Sequence, residues 1–142
     1  MKIIVSQKNL HRALALVERV IARNVSLPML SMVLLRTENG RLRVSATNLE
    51  VGISAVMGAK VEEVGEIAVP GRIFSDFVRT LTEENITLTT KSNNLLVQSK
   101  LFKTSILGAD AKDYPIIPRI TKGTVCTMSS HILKDLLFTT AD

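Results

Sequence analysis

A chain of 142 residues, 46% of them hydrophobic, can enclose one core and carry a stub of a second unit beyond it. Its 18 Lys and Arg against 13 Asp and Glu leave a net charge of +5, which favours an anionic partner, nucleic acid being the commonest. The single cysteine, Cys126, excludes an internal disulfide framework and a cysteine-based zinc site. The apolar opening, Met1 to Val5, is too short for a signal peptide, and no stretch nears the roughly 18 apolar residues of a membrane span, so a cytoplasmic protein fits.

In chain order, the opening strand leads into a helix over about 7–22, with Ser6 as its cap and Leu10, Ala13, Leu14, Val17 and Ile21 as its apolar stripe. Residues 31–37 form an apolar run that ends at Glu38-Asn39-Gly40-Arg41, and Asn-Gly is the strongest two-residue hairpin signal because both turn positions need positive φ. The next run alternates, with Leu42, Val44 and Ala46 on one face and Arg41, Arg43, Ser45 and Thr47 on the other. Asn48-Leu49-Glu50 turns the chain, and Val51, Ile53, Ala55 and Met57 alternate in their turn. The pattern predicts a three-stranded antiparallel meander with one dry face and one wet face.

A second helix follows over about 71–81, with Pro70 near its first turn and Phe74, Phe77, Val78 and Leu81 inward. Residues 86–91 alternate, Ser92-Asn93-Asn94 turns them, and 95–99 and 103–107 read as two more strands. Residues 108–118, with two prolines and three charges, read as a connecting loop in which Asp110 and Asp113 are turn formers. Glu62-Glu63 and Glu83-Glu84 read as loop charges.

Self-similarity organises these elements. At an offset of 64 residues Ile3 meets Ile67, Val5 meets Val69, Lys8 meets Arg72, Leu10 meets Phe74, Ala13 meets Phe77, Leu14 meets Val78 and Val17 meets Leu81. Each unit is a short strand, an amphipathic helix and then three strands, which predicts an α+β domain of two β-α-β-β-β repeats. At an offset of 122 the unit starts again: Val125 and Thr127 read as a strand, Ser129 and Ser130 open a helix, and Ile132, Leu136 and Phe138 form its stripe, with Lys134 on the place of Arg12. An amphipathic helix without its sheet leaves apolar surface in water, at about 25 cal/mol per Å². The expectation is therefore a first domain over 1–122 and, over 123–142, the first strand and helix of a second, in a chain cut from a longer multi-domain protein.

Basic residues recur on the helix faces away from the core. Lys8, Arg12 and Arg19 lie within roughly 40° of one another at about 100° per residue. Arg72 and Arg79, seven apart, share a face interrupted by Asp76, and Arg23 follows the first helix. Exposed lysines and arginines are often only solvated, but the same stripe on two copies of one unit points to a shared anionic partner.

Five segments, in order and spacing, resemble one family. Met1-Lys2-Ile3-Ile4-Val5, Leu27-Pro28-Met29-Leu30, Ala46-Thr47-Asn48-Leu49-Glu50, Val69-Pro70-Gly71-Arg72-Ile73-Phe74 and Asp113-Tyr114-Pro115 are similar to the bacterial DNA polymerase III beta subunits, the sliding clamps. The resemblance implies a head-to-tail homodimeric ring of six similar domains, antiparallel sheets outside and helices lining a hole through which duplex DNA passes. It implies a processivity factor with no active site and no cofactor, which tethers the replicative polymerase and is loaded by a clamp loader, both held through domains outside this chain. Arg72 matches a lining arginine that contacts DNA; a second family arginine falls on Asn24, with Arg23 beside it as the substitute. Lys103 and Ile106 match basic and apolar positions of the subunit interface, whereas Leu101 and Thr104 depart from the family's basic and aromatic residues there. Ile106 also reads as plain core, because alternation does not say which face of an edge strand is outward.

Enzyme readings find no constellation. His11 reads as a surface helix residue, and His131 does not face its neighbours Ser129 and Ser130. Cys126 reads as a buried apolar residue in a strand. The rival of another class is a small protein-interaction module that recruits a partner through a sheet edge.

Overall fold

The computed structural model describes residues 1–21, 27–118 and 121–141. Alternating apolar residues set the strands and helical periodicity sets the helices, in the order β1 (Lys2–Ser6), α1 (Gln7–Val17), β2 (Met32–Glu38), β3 (Arg41–Thr47), β4 (Gly52–Gly58), β5 (Lys60–Glu63), β6 (Glu66–Pro70), α2 (Gly71–Thr80), β7 (Asn85–Lys91), β8 (Asn94–Gln98), β9 (Lys103–Leu107) and α3 (Ser130–Thr140). Short 3-10 turns cover Glu18–Val20, Pro28–Ser31 and Ala111–Asp113. The class is α+β, with two antiparallel sheets. The offset of 64 holds to the residue: β1 and β6 correspond end to end, and both helices start at the next position.

The two repeats trade their first strands. One sheet runs β5-β1-β7-β8-β9 and the other β4-β3-β2-β6, so β1 joins the meander of the second repeat and β6 that of the first. The registers match, with Ser6 opposite Asn85 and Pro70 opposite Met32, in each case the last residue of a leading strand against the first of a meander strand. Asn39 and Gly40 turn β2 into β3 with φ of 49° and 70°, the pair of positive values that an Asn-Gly hairpin needs.

One core takes the inner residues of both sheets and the stripes of both helices, with Ile3, Leu10, Leu14, Val33, Leu42, Phe74, Val78, Leu88 and Val97 fully buried. Each such side chain contributes about 1.5–3 kcal/mol of burial. α1 and α2 pack on each other, α1 also on β3 and β4, and α2 on β2 and β6. A smaller cluster of Leu34, Ala68, Ala111 and Tyr114 lies on the opposite face of the β4-β3-β2-β6 sheet.

Four expectations change. The first helix is α-helical only to Val17, continues as a 3-10 turn to Val20 and gives way to extended backbone at the buried Ile21; Ala22, the last residue of the expected 7–22 span, lies outside the described residues. The supposed loop charges Glu62 and Glu63 belong to β5, an edge strand held on β1 and tied by Lys2 Nζ to Glu62 at 2.8 Å. The face of β3 expected to be wet is buried at Ser45 and Thr47, because residues 111–118 cross it. Finally, residues 124–129 form no strand, and Cys126 is exposed rather than buried, since nothing among the described residues pairs with that segment.

Candidate nucleic-acid interface

Burial of Leu10, Ala13, Leu14 and Val17 on α1, and of Phe74, Ser75 and Val78 on α2, fixes which helix faces remain in water. Lys8 and Arg12 on α1 and Arg72 and Arg79 on α2 stand on those faces, and they are exposed, as is Arg19 in the turn after α1. The fold brings Arg19 and Arg72 together: with Ala15, Glu18 and Asp76 they line a cleft of about 340 Å³ between the end of α1 and the start of α2. Arg79 Nη2 is held by Asp76 Oδ1 at 2.9 Å, three residues back on the same helix, so one acidic side chain engages Arg79 and borders the cleft of Arg72. Arg12 lies apart, in a shallow depression shared with Asn9, Leu16 and residues 55–58 of β4.

Arg19 sits in the 3-10 turn Glu18–Val20, which winds at about 120° per residue instead of 100°. It is therefore displaced from the straight stripe with Lys8 and Arg12 and turned toward α2. Glu18, beside it in the cleft, is a lining residue that the helical projection missed; its only signal in the sequence is adjacency to Arg19. Arg23 and Asn24 lie outside the described residues.

The helix starts carry an electrostatic signature. Neither α1 nor α2 has an acidic residue in its first turn, and Ser6 makes no side-chain cap. Instead Lys8 and Arg72, equivalent in the repeat, add positive charge where the helix dipole is already positive. A cation there opposes the usual preference by about 0.3–1 kcal/mol, whereas an anion such as phosphate is stabilised.

At the far edge of the other sheet, Lys103 is exposed on β9. Ile106 is 7% exposed and belongs to the main core, so its side chain is turned away from the edge; the outward apolar side chains beside it are Leu101, Phe102 and Leu107. The loop before β9 is pinned by Glu83, whose Oε1 accepts from the Ser99 hydroxyl at 2.9 Å and the Leu101 amide at 3.3 Å. The Ser99 hydrogen bond, more than the amides, holds the Glu83 carboxyl below the ordinary range. His131 is exposed and faces Asp135 at 3.0 Å, away from any nucleophile pairing with Ser129 or Ser130. Among the described residues no three His, Cys, Asp or Glu side chains cluster as metal ligands, and no helix is long and apolar enough to cross a membrane.

Residues 1–118 match the family model described as the DNA polymerase III beta subunit, N-terminal domain. The chain is 31% identical over 139 residues to the beta sliding clamp of Chlamydia muridarum, covering 96% of this chain and 37% of that protein. It is 32% identical over 117 residues to the beta sliding clamp of Haemophilus influenzae, covering 81% of this chain and 32% of that one. Among solved structures, the DNA polymerase III subunit beta from Pseudomonas aeruginosa superposes with a TM-score of 0.91 at 27% identity, over 97% of this chain and 38% of that one. The chain thus spans about a third of the length of these relatives.

Proposed function

Because this chain belongs to the DNA polymerase III beta subunit family and carries its N-terminal domain, we propose that it is part of a sliding clamp of bacterial DNA replication, a processivity factor that encircles duplex DNA and tethers the polymerase without catalysing a reaction itself. The observation that carries the reading is the pair Arg19 and Arg72 on one cleft between the exposed faces of α1 and α2, reinforced by the equivalence of Lys8 and Arg72 at the two helix starts. Contacts made there go to phosphates and not to base edges, because a clamp has to slide over any sequence. Arg72 is the principal contact, with Arg19, Arg79, Lys8 and Arg12 adding to the field; Arg23 and Asn24, which follow the first helix in sequence, are further contacts that the family resemblance implies.

The full-length protein forms a homodimeric ring in which the β9 edge of this domain meets the other subunit. Lys103 supplies charge at that edge and Leu101, Phe102 and Leu107 supply apolar surface, while Ile106 supports the strand from within. Residues 1–122 constitute the first domain, and the exposed α3 belongs to the start of the second. Polymerase and clamp loader bind through domains outside this chain.

The test uses the full-length product of the reading frame, loaded by clamp loader and ATP on nicked circular DNA that is then linearised. Loss of protein on linearisation at moderate salt supports topological linkage. Equal retention on both forms points to ordinary backbone binding and refutes the ring. Binding to neither form, together with capture of a partner strand at the β9 edge, favours the interaction module.

A further inference from the structure

A cleft lies on the face of the β4-β3-β2-β6 sheet opposite the helices, where DNA held by α1 and α2 does not reach. Its floor follows from the ladder registers: one row across the sheet reads Glu66, Arg36, Arg43, Val56, and the next reads Ala68, Leu34, Ser45, Ser54. The segment 111–118 straps the second row. Ala111 and Tyr114 pack on Leu34 and Ala68, and the Tyr114 hydroxyl donates to the Met32 carbonyl at 3.1 Å. Ile117 closes over Gly52, where any Cβ would come within 2.8 Å of its Cγ2. Between strap and floor a volume of about 580 Å³ stays open, lined by Arg36, Arg43, Ser45, Ser54, Lys112 and Ile116 among others. That is within the size range of small-ligand and peptide sites.

Two arginines directly opposite each other on a ladder repel. Here each engages a carboxylate through Nε alone, Arg36 with Glu66 at 2.5 Å and Arg43 with Glu38 at 2.7 Å. A guanidinium has five N–H donors, so both forks keep Nη donors with no partner among the described residues. Lys112 adds a third cation above them, with no carboxylate partner among the described residues. Beside these cations the strap is apolar, with Ile116 92% exposed, and neither Ile116 nor Ile117 makes a backbone hydrogen bond to a described residue.

We propose that this cleft binds an extended acidic peptide segment, its carboxylate bridging Arg36 and Arg43 near Lys112, its apolar neighbours covering Ile116, and its backbone alongside the strap. The excess of cation over carboxylate selects the acidic side chain. The unpaired backbone and the exposed isoleucine select a peptide over a small free anion, which would leave both unused.

The test is an amide-shift titration of the ¹⁵N-labelled 142-residue chain with acetyl-Gly-Ile-Asp-Val-Gly-amide, with its Asn counterpart, and with sodium acetate. The Asp peptide should shift the amides of Gly52, Ser54 and Lys112 saturably, and the Asn peptide should bind about tenfold more weakly, as loss of a charge-assisted bond implies. Arg43→Gln should weaken binding by a similar factor, and the exposed Lys112→Glu, which leaves the sheet intact, by about threefold. Equal binding of the Asp and Asn peptides overturns the proposal, as does saturation by acetate at the same concentrations or an unchanged affinity in Lys112→Glu.

Discussion

Asp76→Asn is the most informative single change on the helix faces. Asp76 engages Arg79 at 2.9 Å and borders the cleft that holds Arg72 and Arg19, so it opposes the field of the five basic side chains on α1, α2 and the turn after α1. The ion pair is 68% and 66% exposed on its two sides, and breaking an exposed pair shifts stability by no more than about 0.5 kcal/mol. Its effect on DNA is larger. For a phosphate about 8 Å from the carboxylate, water-like screening gives a repulsion of about 0.5 kcal/mol, roughly a factor of two in affinity. Releasing Arg79 to neutralise one more phosphate steepens the dependence of log K on log salt by about 0.9, which multiplies the affinity lost between roughly 50 and 200 mM salt by about 3.5. Anisotropy of a labelled duplex, titrated with wild type and Asp76→Asn at several salt concentrations, reads both quantities. Asp76→Asn should bind more tightly at low salt, with the steeper slope, and Arg72→Glu combined with Arg79→Glu should bind more weakly, with a flatter one. Identical slopes in all three proteins would refute the assignment of these residues to phosphate contact.

The remaining expectations concern the fold and its loops. Phe74→Ala empties a fully buried site in the main core and should cost about 3–5 kcal/mol in urea unfolding, whereas Ile73→Ala, at a position 62% exposed, should stay within about 0.5 kcal/mol. Tyr114→Phe removes the bond to the Met32 carbonyl and should cost about 1 kcal/mol, with larger amide shifts in 111–118 than elsewhere. The Glu83 carboxyl lies below its unfolded value, chiefly through Ser99, so its contribution is complete above the unfolded pKa and is lost as pH falls through the folded one. The Leu101 amide should therefore titrate with a midpoint below about 4.3, and Glu83→Gln should abolish that titration.

Where a feature depends on near neighbours in sequence, the residues announce it. The Asn39-Gly40 turn, the alternation of Leu42, Val44 and Ala46, and the start of both helices follow from local φ requirements and periodicity. β5 escapes such reading because Lys60-Val61-Glu62-Glu63 has a single apolar residue; it is a strand only because the edge of β1 takes it up, and its charges suit an edge. Ser45 and Thr47 are polar residues in a polar pattern, buried by a strap some 65 positions later in the chain. The basic stripe was visible as charge on helix faces, but the meeting of Arg19 with Arg72 depends on a helix that tightens after Val17 and on how α1 and α2 dock, neither of which periodicity encodes.

The exchange of leading strands explains why the two repeats act as one unit. β1 finds its ladder partner β7 in the second repeat, besides the edge strand β5 of its own, and β6 finds β2 in the first, the β7 and β2 ladders in equivalent registers. Each helix follows directly from a strand anchored in the other repeat's meander, so the start of α1 is located by the second repeat and the start of α2 by the first. A repeat on its own would leave its leading strand without that ladder and its helix stripe partly in water, at a cost in unpaired backbone and apolar surface that its own meander does not offset. Residues 124–129 obey the same rule: they have the composition of a leading strand, and they stay unpaired where no described meander takes them up. Lys8 and Arg72 owe their equivalent positions to this reciprocity, since a shift in either ladder would move one helix start against the other.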